Sequence, residues 1–437
     1  MDVIKSYLRK VNLAYQSILV SAITFFNSAL SFVAQLLIAR EFGAGIEVDA
    51  YIFALSSPIF IAGLINGLIN YTLIPKLVKM EKNLIEYSEY TRAIMERILL
   101  LASLFWVAGI LFGGLLVRSI ATEKIQRFND FNMLLTLTWS IATGQIVQSL
   151  LLSILNARRN HLVAAVINGL PAIGIIGILS VVVAIGRNPT IVWVPTGMLV
   201  GLAISIAIAF KILKIQVFPL SFDRKILSNF GQDIKPVVFS LMGMSVFTWW
   251  MIIDAIRAPQ IGEGVLATLG YAHRLITGVG NLVVAGPFAV LAPKFSVLVR
   301  EQDKQGFKKF LIQSVLLVML VATLFVIILW IYAEQLISFL FIRGSFTLTE
   351  AKSLSGIFRY MLPGLAAMVS AAITLRAAFC QESEKTDLAL FGIMWGVSYY
   401  VLSLYFSDLK GKSLAIAYSL TWTMYFVALL SRVMVRK

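Results

Sequence analysis

The chain has 437 residues, of which 59% are apolar and only 14% charged, with a mean hydropathy of +0.87. A soluble domain carries about 25% charged residues, so a water-facing globule is excluded, and the apolar residues lie in runs long enough to cross the roughly 30 Å of a bilayer's hydrocarbon. The net charge of +15 would suggest nucleic acid in a soluble protein, but in a membrane protein Lys and Arg collect in cytoplasmic loops beside anionic lipid headgroups, so membrane lipids are expected partners and nucleic acid is not.

The N-terminus carries Lys5, Arg9 and Lys10 ahead of a long apolar stretch without a small-residue cleavage site, which reads as a retained first helix. Apolar runs predict twelve spans, at 12–39, 48–75, 94–117, 131–156, 161–185, 191–213, 235–256, 264–293, 309–333, 353–380, 387–406 and 413–434. The run 311–329 contains no charge at all. Lys and Arg favour the even-numbered connections and the termini over the odd-numbered connections by more than two to one, which places both termini in the cytoplasm. The longest polar connection, 214–234, contains Pro219, Asp223, Arg224, Lys225 and Gly231 and is predicted to link an N-terminal six-helix lobe (1–213) to a C-terminal one (235–437). The lobes echo each other: Tyr51 to Pro75-Lys76 in the first matches Tyr271 to Pro293-Lys294 in the second, about 220 residues later. Even span numbers per lobe make this repeat parallel, an arrangement suited to alternating access. The fold class is thus all-α and polytopic, with about twelve transmembrane helices in two parallel six-helix lobes.

No Walker loop, HExxH pair or Gly-rich nucleotide fingerprint is present, so neither an enzyme nor an ATP-driven pump is expected, and no cofactor. Cys380 is the lone cysteine, and His161 and His273 are the two histidines, leaving no disulfide framework or Cys-rich metal site within the chain. Ionisable residues inside spans are costly and therefore informative. Arg274, in the eighth span beside His273, is a candidate contact to an anionic substrate group, because a guanidinium matches phosphate geometry; the structural alternative is an ion pair with Asp254. His273 is a candidate substrate contact or a packing residue. Asp49 and Asp254 are candidates for a cation or proton site, with helix capping the simpler role for Asp49 after its Gly-rich turn. Arg359 and Arg376 lie towards the ends of the tenth span, where such side chains snorkel. The second span is polar and small along Ser56, Ser57, Gly63, Asn66, Gly67 and Asn70: Asn66 and Asn70 are candidate cavity-lining contacts, and Gly63 with Gly67 a candidate packing pair. Pro58, Pro75, Pro171, Pro287 and Pro363 are candidate kinks.

Three stretches together resemble a known family. The first is Ala39-Arg40-Glu41-Phe42-Gly43-Ala44-Gly45 with Asp49-Ala50-Tyr51 and Ile74-Pro75. The second is Tyr271-Ala272-His273-Arg274-Leu275 with Leu291-Ala292-Pro293-Lys294-Phe295-Ser296. The third is Leu340-Phe341-Ile342-Arg343-Gly344-Ser345-Phe346-Thr347 with Arg376-Ala377-Ala378-Phe379. In this order they resemble the MviN/MurJ family of lipid-linked saccharide flippases, of the multidrug/oligosaccharidyl-lipid/polysaccharide exporter superfamily, over nearly the whole chain. The resemblance implies a V-shaped pair of lobes around a central cavity lined by the first, second, seventh and eighth helices, in the bacterial cytoplasmic membrane. It implies that Arg274 is the cavity arginine and that Asp49 matches the Asp after the FGAG turn. The departures are specific. Adjacent arginines and a Glu in the second helix of many lipid II flippases read Ala62, Gly63 and Gly67 here, an Arg-Asp pair in the first helix reads Ala34 and Gln35, and the Asp before the eighth-helix Arg reads His273. Two further C-terminal helices usual in those members are not among the twelve spans. The acidic and amide partners that join the Asp matching Asp254 in some sodium-binding members are replaced by Trp395, Ser398 and Tyr399.

Fewer cavity cations favour export of a polyprenyl-(pyro)phosphate-linked oligosaccharide for cell-envelope or exopolysaccharide synthesis, with lipid II as the alternative. A cation or the membrane potential is the candidate driving force, and glycan-assembly enzymes are candidate partners. Two further readings compete: a cation-coupled multidrug exporter, for which Asp254 alone stands in for an acidic cluster, and a non-transporting scaffold for glycan assembly.

Overall fold

The computed structural model describes residues 2–80, 84–214, 242–243, 245–381 and 386–435, with side chains described throughout these except at 2–18, 70–76, 78–80, 84–87, 116, 285–290, 292–293 and 386. In chain order the α-helices are α1 (Asp2–Phe42), α2 (Ile46–Met80), α3 (Leu84–Ala108), α4 (Gly114–Ile120), α5 (Glu123–Gln126), α6 (Phe131–Ala157), α7 (His161–Asn168), α8 (Leu170–Ala184), α9 (Trp193–Leu213), α10 (Trp249–Ile261), α11 (Val265–Arg300), α12 (Lys304–Phe341), α13 (Leu348–Cys380), α14 (Thr386–Tyr405) and α15 (Gly411–Val435). Ten of the described helices are long and apolar enough to span a bilayer. Of the other two predicted spans, the seventh lies partly outside the described residues, α10 covering its second half. The eighth is α11, whose 36 residues are ample in length but include His273, Arg274 and Lys294 among the apolar ones. In lipid every backbone group must be satisfied within the protein, and long helices do this residue by residue.

Several boundaries follow from local chemistry. The predicted fifth span divides into α7 and α8 at Gly169, with Pro171 in the first turn of α8, where a missing N–H is tolerated. The other candidate kinks leave their helices continuous: α2 runs through Pro58 and Pro75, α11 through Pro287 and α13 through Pro363. A π-helical segment, Gly109–Gly113, joins α3 to α4, and the Trp139 ring lies so close to Gly109 and Gly113 that a Cβ at either would fall 2.1–2.3 Å from it. The helix α12 starts earlier than predicted because the Asp303 side chain caps it, accepting from the Gly306 N–H at 2.8 Å. Of the predicted linker, Lys214 ends α9 in the left-handed conformation; 215–234 lie outside the described residues.

The chain divides into two compact units. Unit 1 comprises Met1–Ile38, Ala54–Ile120 and Gln126–Val238, and unit 2 comprises Ala39–Phe53, Ala121–Ile125 and Phe239–Lys437. The core of unit 1 is aliphatic, with Leu77, Ile94, Met95, Ala142, Leu150, Leu151 and Ile154 fully or almost fully buried. Its α8 and α9 meet backbone to backbone: a Cβ at Gly174 would lie 2.1 Å from the Gly197 carbonyl oxygen, and one at Gly201 2.2 Å from that of Leu170. Small residues let helices approach this closely in lipid, where no hydrophobic force drives them together. Unit 2 is built around α13, which packs against α11, α12 and α15 and buries Phe358, Met361, Leu362 and Leu365 completely. On α12, Leu316, Leu317, Leu320, Leu324, Ile327, Ile328 and Ile331 are exposed, an uncharged face suited to acyl chains.

Candidate substrate and coupling site

The turn between α1 and α2 is held by two other stretches of unit 2. Gly43 has φ +63° and Gly264, just before α11, has φ +78°, a region open to glycine but strained for other residues. The Asp49 carboxylate accepts the Gly264 N–H at 2.6 Å and the Ala267 N–H at 2.7 Å. Asp49 therefore caps a helix, as its position suggests, but the helix is α11 and not its own α2. A carboxylate at that end satisfies orphan donors and complements the helix dipole. The Tyr271 hydroxyl donates to the Gly43 carbonyl at 2.7 Å, and Glu350 accepts the Ala44 N–H at 2.6 Å. Glu350 also forms a capping box with Thr347 at the start of α13, while the Ser345 N–H donates to the Arg40 carbonyl at 2.7 Å. The three separate stretches that carry the family resemblance thus meet around one turn.

A second cluster lies among α10, α11 and α14. His273 Nε2 is 2.7 Å from Asp254 Oδ2, and the Tyr399 hydroxyl donates to Asp254 Oδ1 at 2.5 Å. All three side chains are buried: Asp254 and His273 are 1% exposed and Tyr399 is 0%. Trp250 stacks on the imidazole with centroids 3.8 Å apart, and Tyr418 of α15 meets it edge-on at 5.0 Å. Asp254 therefore pairs with His273, and the ion pair between Asp254 and Arg274 considered from sequence is not formed. His273 sides with Asp254, its ring committed to protein, so a direct substrate contact by His273 has no support in this arrangement.

Arg274, one residue on, is exposed. Asn66 is half-buried on α2, in unit 1; Asn70 lies on the same helix, its side chain outside the described residues. Gly63 is exposed, and a Cβ there would meet nothing within 4 Å, so the packing role expected for Gly63 is not observed; the α8–α9 seam is a close helix contact of unit 1 among the described residues. Arg359 donates to the Trp330 carbonyl at 3.2 Å, and Arg376 is exposed. Sequence reasoning missed Glu350, although the Thr347-x-x-Glu350 spacing is a capping-box signal. It noted Tyr399 only as a departure, because its partner is 145 residues away. Among the described residues no three His, Cys, Asp or Glu side chains gather as a metal site would require.

The fold is that of the two-lobed exporter class. It is similar to a solved structure described as lipid II flippase MurJ in an inward closed conformation, with TM-score 0.77 and 21% identity over 95% of this chain and 87% of that one. It is also similar to an inward-facing multidrug resistance MATE family transporter of the MOP superfamily, with TM-score 0.73 and 15% identity over 95% of this chain and 97% of that one. The family model described as "Lipid II flippase MurJ" matches residues 38–437, and the chain belongs to that family. A probable lipid II flippase MurJ of Buchnera aphidicola subsp. Baizongia pistaciae is 26% identical over 428 residues, 95% of this chain and 83% of the relative. One of Bdellovibrio bacteriovorus is 22% identical over 157 residues, 36% of this chain and 30% of the relative. The protein is a multi-pass membrane transporter of the flippase kind and not an enzyme, and its place is the bacterial inner membrane.

Proposed function

We propose that the protein moves lipid II across the cytoplasmic membrane by alternating access, supplying peptidoglycan synthesis. The observation that carries this reading is the family match through 38–437, supported by a relative described as a probable lipid II flippase and aligned over 95% of this chain. Arg274, exposed on α11, is the proposed contact to the pyrophosphate, which a guanidinium binds through paired N–H donors; Asn66 and Asn70 are the proposed polar contacts contributed by α2. The lobes are taken as 1–213 and 235–437, joined by 214–234, with both termini cytoplasmic in line with the loop charges. A cation or the membrane potential is the proposed driving force, and glycan-assembly enzymes are proposed partners. Ala62, Gly63 and Gly67, where cationic and acidic residues stand in many lipid II flippases, favour a second reading, another polyprenyl-linked glycan; the relatives weigh for lipid II.

Rescue of cells depleted of their lipid II flippase tests the choice. Growth restored by the wild type, but not by an equally abundant Arg274→Gln variant, is the expected result. An inserted, abundant protein that fails to rescue overturns lipid II as the substrate. Equal rescue by Arg274→Gln overturns Arg274 as the phosphate contact.

A further inference from the structure

In unit 1 the π-helical segment Gly109–Gly113 meets α6 beside a cavity of about 240 Å³. A π turn accommodates one extra residue, and such turns are frequent at functional sites. Trp139 of α6 packs against this one. A Cβ at Gly109 would lie 2.1 Å from the ring carbon Cε3, and one at Gly113 2.8 Å from Nε1, so the N–H edge of the indole is the edge nearer α4. Trp139 is 6% exposed, and its Nε1 has no hydrogen-bond partner among the described residues. An indole nitrogen can only donate, and a buried donor left unpaired is costly. The cavity is lined by this ring, by Leu111 and Leu115, and by the polar side chains of Arg118, Asn132 and Thr136. Leu111, Phe112 and Leu115 are exposed, and in a membrane such side chains are solvated by acyl chains. Arg118 lies just past the apolar span Ser88–Gly113, and Asn132 at the start of the span Phe131–Ala157, the depth at which hydrocarbon gives way to headgroups and cationic side chains settle. Arg118 donates to the Asn132 side-chain oxygen, a neutral partner that does not cancel its charge.

We propose that this cavity seats an anionic glycerophospholipid of the surrounding bilayer, its phosphate on Arg118 and the top of an acyl chain along Leu111 and Leu115. The order of groups down the cavity is that of the lipid. The guanidinium stands at the headgroup level and, with one N–H given to Asn132, keeps others for phosphate oxygens. Gly113, beside the Trp139 Nε1, comes five residues before Arg118, about 7.5 Å deeper at a helical rise. At that depth an ester carbonyl of the glycerol supplies the acceptor that the indole N–H lacks. Beyond it the lining is aliphatic, and Gly114 keeps the way open: a Cβ there would meet nothing within 4 Å. A free anion would use Arg118 and leave the apolar part empty, whereas a second copy of this chain would have to bring both an anion and a carbonyl into the recess. The lipid is a resident of the membrane and not the transported molecule, so the site stands or falls independently of the flippase reading. Seated there, it joins α4 to α6 and stabilises the folded protein by mass action.

The test uses the purified full-length protein in detergent, titrated with phosphatidylglycerol or phosphatidylcholine and read by native mass spectrometry. The wild type should retain its first phosphatidylglycerol at least tenfold more tightly than phosphatidylcholine. Arg118→Gln should weaken that first binding about tenfold, the loss of one charge-assisted contact, and Gly114→Phe, which fills the cavity, should abolish it. Equal retention of the two lipids by the wild type, or unchanged affinity in Arg118→Gln, overturns the proposal. A dimer that forms without added lipid and is lost in Gly114→Phe assigns the recess to a second copy and also overturns it. A second measurement locates the lipid. Phosphatidylglycerol brominated high on its acyl chains should quench intrinsic fluorescence more in the wild type than in Gly114→Phe, which keeps all eight tryptophans; equal quenching overturns the assignment to this cavity. Should Gly114→Phe not be recovered folded, Arg118→Gln, at an exposed position, decides in both measurements.

Discussion

In unit 1, α8 and α9 come together by having nothing between them: Gly174, Gly197 and Gly201 bring main chain against main chain, and the polar bond buried nearby is neutral, the Gln148 amide donating to the Ser205 hydroxyl at 2.7 Å. Unit 2 has glycine contacts of its own, a Cβ at Gly392 falling 2.0 Å from the Met242 carbonyl oxygen, but it adds ionisable joints. Asp49 ties the turn after α1 to the start of α11, and Asp254 ties α10 to α11 and α14 through His273 and Tyr399. The first kind of joint fails when volume is added and the second when a partner is removed. Only the second can also change its charge.

Thermal unfolding of the purified protein in detergent can break or sharpen this contrast. Gly201→Val should have the largest effect, about 3 kcal/mol of destabilisation, because the added carbon meets the Leu170 carbonyl and a helix backbone cannot step aside as a side chain can. Asp49→Ala should cost about 2 kcal/mol, leaving the N-terminal donors of α11 unsatisfied; a loss below about 0.5 kcal/mol would deny that the cap holds unit 2 together. Gly63→Ala should raise stability by about 0.5 kcal/mol, since a helical glycine with open space around it contributes only backbone entropy to the unfolded state. Destabilisation there would restore a packing role to Gly63. Arg274→Gln should leave stability within about 0.5 kcal/mol, as for an exposed substitution. Its transport of lipid II in proteoliposomes should nevertheless drop about tenfold or more, the loss of one charge-assisted contact.

Much of the architecture was legible because it depends on composition over long windows. Runs such as 311–329 can be nothing but spans or buried helices, and the Gly-rich turn before Asp49 announces a helix start. Asp49 also shows where that legibility stops. Its residue type and position point to capping, but which helix it caps depends on Gly264 arriving 215 residues later. Gly63 and Gly67 have the spacing of a packing pair, and so do Gly197 and Gly201; Gly197 and Gly201 meet backbone while Gly63 faces open space, since a spacing says nothing about which face of the helix meets a neighbour. Arg274 and His273 are adjacent in sequence and were both candidates for one role, yet consecutive helical positions point about 100° apart, and the structure sends one to the surface and buries the other.

By itself the sequence determined that this is a polytopic helical membrane protein, where its spans lie, and through three short stretches which family it belongs to, because hydrophobic length and local motif are properties of contiguous residues. Tertiary structure decided that those three stretches converge on one turn, that Asp254 pairs with His273 and Tyr399 instead of Arg274, and that a backbone seam of unit 1 lies between α8 and α9. The physical reason is common to all three: hydrogen bonds and van der Waals contacts act over a few ångströms, and the residues that come within that reach are set by how the helices pack, not by their order along the chain.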